Sequence, residues 1–342
     1  MPAQGFFVLY PEKVVKGGLE GRGIELHSLY CLDSSAPVLW FKEQIRMEAL
    51  NAWGLEFVRA TQITMGKAFL LPMQAITLLG SELFALAALP LIYWCVDRKK
   101  GARIGILILI SAFANLWVKT LFKLPRPYEL DPSLELAREH TSAFPSGHSQ
   151  TSMTFWGVAL TVLPKGIGLA AIIAIPLLVG LSRIYLGVHF PIDVLAGWAL
   201  GGFFVVLFYA LGQKIEAMLH NLESRFRVII VAAVALAMNF LMPEDTMLGG
   251  AFLGSGLGFV LVSKSLRFEA KGGFAEKALR YALGMAGAVI IYLGPKYFLG
   301  DSFPAQASLI RFLRYGLLGF WVSYGAPLAF YKLNLIRLEI AG

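Results

Sequence analysis

Three short polar islands interrupt an otherwise apolar part of the 342-residue chain, and they carry the residue types that phosphate chemistry needs. Lys119 precedes Arg126-Pro127; Pro145-Ser146-Gly147-His148 follows; then Ser182-Arg183 leads to His189 and Asp193. Fixed cations at the edge of hydrophobic segments are costly unless something anionic or structural requires them. Arg126 and Arg183 offer planar forks for two-point contact with phosphoryl oxygens, and Lys119 adds a point charge. Pro145 followed by Ser146 and Gly147 reads as a helix start, whose free N–H groups and dipole favour an anion. The same cations would stabilise the charge of a phosphoryl-transfer transition state.

Two histidines divide the covalent work. His189 stands four residues before Asp193, with Pro191 between them suited to the first turn of a helix. That spacing lets the carboxylate reach one imidazole nitrogen, fix the tautomer and stabilise the cation formed when the other nitrogen attacks phosphorus. On this reading His189 is the nucleophile. His148 protonates the leaving oxygen and later activates water against the phosphohistidine. The set calls for no metal and no cofactor. Singly, each residue has a plainer reading: a lone Arg at a helix end snorkels, and a lone interfacial His is a satisfied polar group. Glu82 falls inside the first apolar run, where an acid needs a partner. Bracing a site cation and facing a polar gap between helices are balanced readings of it. Asn115 and Asn239 read as interhelix hydrogen-bonding residues.

The elements that must position these groups follow from composition. With 57% hydrophobic and 15% charged residues the chain is not an ordinary soluble domain, and reads as a polytopic membrane protein. The net charge of +8 sits mostly in short loops between apolar runs, which fits membrane orientation rather than nucleic acid. The two cysteines, Cys31 and Cys95, make neither a disulfide framework nor a metal cluster. No removable signal peptide is expected at the N-terminus. The fold class is all-α, a bundle of about nine transmembrane helices plus an N-terminal amphipathic helix, at roughly 20 residues per crossing. The spans are expected at 70–96, 102–122, 147–163, 166–182, 192–213, 226–242, 246–263, 281–299 and 309–331.

Residues 1–35 are expected to hold little regular structure. Within 36–66, apolar Leu39, Trp40, Ile45, Leu50, Trp53 and Phe57 interleave with Lys42, Glu43, Arg46, Glu56 and Arg59. A helix lying in the headgroup layer and one packed on the protein itself are balanced readings. The loop 123–146 carries Glu129, Asp131, Glu135, Arg138 and Glu139 and reads as a solvated connection, with a lid as the lesser reading. The chain divides into an N-terminal segment 1–66, a core 67–213 and a C-terminal four-helix extension 214–342.

Alternate loops differ in charge. One set collects Arg98, Lys99, Lys100, Arg103, Lys165, Lys214, Arg225, Arg227 and most later cations, and is expected to be cytoplasmic. The three islands then face the opposite side.

The order and spacing of the islands resemble the type-2 phosphatidic acid phosphatase superfamily. Its pattern runs Lys, six residues, Arg-Pro; then Pro-Ser-Gly-His; then Ser-Arg, five residues, His, three residues, Asp, and every specified position is present. The resemblance implies a histidine phosphatase in which Lys119, Arg126 and Arg183 bind phosphate and Ser146 and Gly147 assist. His189 would be the nucleophile, His148 the acid/base and Asp193 the orienter of His189; Pro127, Ser182 and Glu82 are supporting positions. It covers about residues 70–213 and belongs to the membrane lipid phosphatase branch. The extra C-terminal helices are similar to those of sphingosine-1-phosphate phosphatases and glucose-6-phosphatases. In the latter branch the position of Asp193 is not acidic, which speaks against a soluble sugar.

The expectation is therefore a lipid phosphatase acting on a lipid phosphomonoester or polyprenyl diphosphate, in a bacterial inner membrane with its site facing the periplasm or exterior. Its partners would be the bilayer and a lipid phosphate or diphosphate. The alternatives are a glucose-6-phosphatase-like enzyme for a soluble sugar phosphate, or a lipid transport or binding protein with a vestigial site. Vanadate-dependent haloperoxidase chemistry would use a similar anion cradle, but polytopic anchoring speaks against it. Gly249, Gly250, Gly254, Gly256 and Gly258 give the C-terminal extension a small-residue face, for support of the core or for a homodimer.

Overall fold

A computed structural model describes residues 36–299 and 306–339. The expectations for residues 1–35 and for Cys31 lie outside the described residues. The chain forms two units, Met1–Ala49 and Leu50–Gly342, and every contact below belongs to the second.

Helix α1 runs Ala36–Met65. From Asn51 onward one face, through Gly54, Val58 and Gln62, is covered by protein. Arg59 pairs with Asp131 at 2.6 Å, and Gln62 Nε2 donates to the carbonyls of Leu134 and Tyr185, both at 2.9 Å. Trp53 and Phe57 remain 51% and 43% exposed beside Glu56 and Arg59, so this half of the helix packs on the protein without the sorted faces of a headgroup-layer helix.

The expected span 70–96 is two helices, α2 (Leu70–Leu78) and α3 (Glu82–Cys95). The chain turns at Leu79–Ser81, where Ser81 Oγ accepts the Phe84 N–H at 3.2 Å and caps the new helix. Glu82 is therefore the first residue of α3, exposed, and in no ion pair among the described residues. The site arginines pair with Glu139 and not with Glu82.

Helix α4 (Arg98–Phe122) is capped by Asp97, whose carboxylate accepts the Lys100 N–H at 2.9 Å. The 123–146 loop is not a solvated connection. It holds a short helix α5 (Pro127–Leu130) and a 3₁₀ turn, Pro132–Leu134, and buries Arg126, Tyr128, Leu134 and Ala143. Helices α6 (Gly147–Gly157), α7 (Lys165–Tyr185) and α8 (Pro191–Asn221) follow, with α6 packed against α4, α7 and α8. Pro176 is accommodated within α7, and its carbonyl accepts Trp198 Nε1 at 3.2 Å.

The C-terminal part comprises α9 (Ser224–Leu241), α10 (Met247–Ser265), strand β1 (Phe268–Glu269), α11 (Phe274–Leu299) and α12 (Ala307–Phe320). A π-turn at Trp321–Gly325 leads to α13 (Ala326–Lys332), and strand β2 (Arg337–Leu338) pairs antiparallel with β1. The α10 glycines serve two faces. Gly250 and Gly254 lie on the backbone of α12 at Phe312 and Gly316, while Gly249 and Gly256 face Asn239 and Val231 of α9. Core and extension are joined through α3: Trp94 Nε1 donates to the Val322 carbonyl at 2.9 Å, Tyr93 Oη to that of Ser323 at 2.7 Å, and buried Arg280 to that of Trp94 at 2.9 Å. Cys95 is buried in the same cluster.

The expected span 147–163 holds only the 11-residue α6 and a 3₁₀ turn at Ala159–Thr161. Among the described residues five helical stretches are long and apolar enough to cross a membrane: Arg98–Leu130, Gly168–Tyr185, Pro191–Asn221, Ser224–Leu241 and Met247–Ser265. A pair bent by 90°, Glu48–Met65 with Lys67–Gly80, meets the criterion together. The chain is an integral, multi-pass membrane protein.

Candidate active site

The third island is built at the start of α8. Pro191 fills the first helical position, and Asp193 Oδ2 accepts the Phe190 N–H at 2.8 Å, which closes the first turn. Gly187, with φ of 72°, turns the chain out of α7 toward His189; a side chain there would meet the Leu134 carbonyl. The second island docks directly on this turn, since the Ser146 N–H donates to the Asp193 carbonyl at 3.0 Å. One turn on, Gly197 lets α8 approach α6 so closely that a Cβ would strike the Ser146 carbonyl.

Ser146 caps α6, its Oγ accepting the Ser149 N–H at 3.4 Å and the Ser149 hydroxyl at 3.0 Å. Behind it, Asn115 Nδ2 donates to Gln150 Oε1 at 2.7 Å and to the Pro145 carbonyl at 3.4 Å, and Gln150 Nε2 to the Ser111 carbonyl at 2.7 Å. Asn115 is the interhelix hydrogen-bonding residue the sequence suggested; Asn239 Oδ1 is buried without a hydrogen bond among the described residues.

Arg126 is fully buried and donates to the carbonyls of Thr141 and Val188, both at 2.8 Å, while Nη1 lies 3.4 Å from His189 Nε2. Arg183 donates from Nη1 to Thr77 Oγ1 at 2.9 Å. Lys119 donates to the carbonyls of Ser142 and Ala143, so it holds the returning loop. Pro127 is the first residue of α5, and Ser182 Oγ bonds back to the Val179 carbonyl at 2.6 Å within its own helix. Neither side chain enters the cradle.

What the sequence reading missed is Glu139. Its Oε2 lies 3.0 Å from Arg126 Nη2, its Oε1 pairs with Arg183 Nη2, and the same oxygen is 3.7 Å from His148 Nδ1. Tyr128 Oη grips the backbone of Glu139, donating to its carbonyl at 2.7 Å and accepting its N–H at 3.4 Å. A buried cation without a partner costs several kcal/mol, at least in order of magnitude, and Glu139 supplies that partner to two arginines. Burial opposes its ionisation, but Arg183, His148 and Arg126 overcome this and hold its carboxyl below the usual range.

His189 is buried, with Nδ1 3.4 Å from Asp193 Oδ2 and Nε2 turned toward Arg126. Burial first, then Arg183, Arg126, Lys119 and His148, keep this imidazole neutral well below its ordinary pKa of 6.5. The imidazole thus lies between the Asp193 carboxylate and the Arg126 guanidinium, with Nδ1 close to the carboxylate but without a hydrogen bond among the described residues. Among the described residues no group of three or more His, Cys, Asp or Glu side chains is arranged to hold a metal ion.

Comparison with known proteins places these residues in context. Residues 100–217 match the PAP2 superfamily and residues 246–338 match the PAP2 superfamily phosphatase, transmembrane extension. Sphingosine-1-phosphate phosphatase 1 of Rattus norvegicus is 29% identical over 171 residues, 47% of this chain and 39% of that protein. Undecaprenyl-diphosphatase of Sulfolobus acidocaldarius is 35% identical over 132 residues, 35% of this chain and 64% of that protein. A solved transmembrane PAP2-type phosphatidylglycerolphosphate phosphatase from Bacillus subtilis aligns with a TM-score of 0.44 and 26% identity, over 53% of this chain and 94% of that one. The chain spans less than half the length of the sphingosine-1-phosphate phosphatases it matches.

Proposed function

Because the chain belongs to the PAP2 superfamily, we propose that it is a membrane lipid phosphatase that releases phosphate from a lipid phosphomonoester or a lipid diphosphate such as a polyprenyl diphosphate. One observation carries the reading: Arg126, Arg183 and His148 converge on a single anionic group, the Glu139 carboxylate, and Arg126 Nη1 lies 3.4 Å from His189 Nε2. An arrangement that holds a carboxylate between two guanidinium forks suits a phosphoryl group with its oxygens in the same places.

In this mechanism His189 Nε2 attacks phosphorus, forming an N–P bond as the P–O bond to the leaving group breaks, with His148 giving its proton to the leaving oxygen. Asp193 holds Nδ1 and stabilises the imidazolium. Water then attacks phosphorus, His148 takes its proton, and the N–P bond breaks to regenerate His189. Arg126 and Arg183 carry the charge of both transition states. Lys119 reinforces them through the field and by fixing the 141–143 backbone, and Ser146 and Gly147 present the start of α6. No step calls on a metal.

We further read the chain as nine crossings with the islands on the extracytoplasmic side, supported by the excess of Lys and Arg in the opposite loops. The core 67–213 would hold the chemistry and the extension 214–342 would brace α3 or form a homodimer surface. A bacterial inner membrane is the proposed location. A site at the membrane boundary lets an amphiphile keep its tails in lipid while its phosphate meets the cations. The similarity to sphingosine-1-phosphate phosphatases, an undecaprenyl-diphosphatase and a phosphatidylglycerophosphatase supports a lipid substrate.

The test is phosphate release by purified protein in detergent with chelator present, across phosphatidate, phosphatidylglycerophosphate, undecaprenyl diphosphate, sphingosine-1-phosphate and glucose-6-phosphate. Release from a lipid, together with an alkali-quenched, base-stable and acid-labile phosphoenzyme that His189→Ala abolishes, is the expected result. Release from the sugar phosphate alone would move the chain to soluble substrates. Release surviving in His189→Ala would overturn the nucleophile.

A further inference from the structure

We propose that Glu139 is a specificity-determining residue, an intramolecular competitor that occupies the phosphate cradle and sets the charge an incoming group must carry to replace it. The inference rests on the phosphatase reading above and names what that site selects against. Glu139 occupies the positions that matter: one oxygen is 3.0 Å from Arg126 Nη2, and the other lies against Arg183 and within 3.7 Å of His148. Its side chain is 25% exposed, whereas Arg126 and Arg183 are 1% and 3% exposed, so the carboxylate is the outward-facing member of the cluster. The cations lie behind it.

Exchange at such a site is a difference of affinities. The cradle holds Arg126 and Arg183, and a carboxylate already paired with both, tethered by the protein's own backbone, competes at high effective concentration. A phosphodiester, with one negative charge, brings no more charge than Glu139 and gains little by replacing it. A phosphomonoester or terminal diphosphate brings about two charges and three free oxygens, and wins the exchange. A membrane surface presents phosphodiester headgroups in large excess over monoesters. Without a resident competitor, a cationic cradle at that surface would be occupied by bulk lipid. Glu139 thus separates the rare monoester from the abundant diester by charge, before any contact with the lipid tail.

The experiment is isothermal titration of the full-length protein in detergent with two probes, inorganic phosphate above pH 7 and the monoanionic diester dimethyl phosphate. Wild type is compared with Glu139→Gln, which keeps size and hydrogen bonding but removes the charge. If the competitor fills the cradle most of the time, apparent phosphate affinity rises about tenfold or more in Glu139→Gln. Dimethyl phosphate then binds the variant and not the wild type. Phosphate affinity unchanged or weaker in Glu139→Gln, or dimethyl phosphate binding to wild type and variant alike, overturns the proposal. If Glu139→Gln does not fold, Glu139→Asp carries the test. It keeps the charge but withdraws it from the two arginines, and must show the same tightening in smaller measure; no tightening overturns the proposal. Phosphate binding to neither wild type nor variant is a different failure, because it removes the anion cradle itself and with it the phosphatase reading.

Discussion

His189 Nδ1 lies 3.4 Å from Asp193 Oδ2, and that same oxygen accepts the Phe190 N–H at 2.8 Å. One carboxylate therefore closes the first turn of α8 and lies against the imidazole, which on the proposed mechanism it orients. Asp193→Asn can still accept the Phe190 N–H, but it no longer stabilises an imidazolium. Its kcat is expected to fall about 10²- to 10⁴-fold with little change in thermal stability. Steady-state kinetics beside a melting curve separate the two roles, and equal losses in both would assign Asp193 to the helix start alone.

Acidification should act on stability through His189. Its folded pKa lies well below 6.5 while the unfolded imidazole protonates near 6.5, so below that pH the unfolded chain binds more protons and stability falls. Above it the residue contributes no pH dependence. Glu139, held below 4.5 when folded, adds a stabilisation that is lost only as pH drops through its own lower value. Melting temperatures from pH 8 to about pH 5 should decline on the acid side in wild type and less steeply in His189→Ala. The acid limb of kcat/KM assigned to the nucleophile should likewise lie below the ordinary histidine value.

Helix contact sets the distance between His148 and His189, the two histidines of the proposed mechanism. Gly197→Ala pushes a Cβ into the Ser146 carbonyl and Ser149, separating α8 from α6, and is expected to cost about 1–3 kcal/mol as well as activity. Gly202→Ala, on the same helix, meets nothing within 4 Å and should be neutral. Thermal unfolding and kcat/KM of the pair test this; equal behaviour would show that the close approach is not needed.

Removing Asn115 should expose how α6 is held. Asn115→Leu leaves Gln150 Oε1 and the Pro145 carbonyl without this buried donor, at a cost of about 1–3 kcal/mol. The loss should appear as a lower melting temperature with KM changed more than twofold, because the Pro145–His148 turn loses its support. A melting temperature equal to wild type would remove Asn115 from that role.

These consequences trace to what a sequence can and cannot carry. The pairing of His189 with Asp193 was legible because one helical turn fixes it, and Pro191 marks where the turn begins. The cap at Ser146 was legible for the same local reason. The break at Leu79–Ser81 was not, since hydropathy runs straight through it and only one serine caps the new helix. Glu82 stands at that break, as the first residue of α3. Glu139 was hidden among the other acids of a polar loop. Only the folding of that loop over α7 and α8, held by Lys119 and Arg126 through the carbonyls of residues 141–143, brings it to the cations. Such contacts are non-local, and spacing has no signature for them.

The grip of Tyr128 on both backbone groups of Glu139 has a kinetic meaning. With its N–H and carbonyl held by one buried hydroxyl, and residues 141–143 fastened just beyond, the main chain at 139 has no room to open as a flap. Any exchange of this carboxylate is then a rotation about its own side-chain bonds. Such a rotation moves one side chain and leaves the main chain of the loop in place. On the proposed reading, a lipid phosphate that enters the cradle displaces one side chain and needs no movement of the loop backbone.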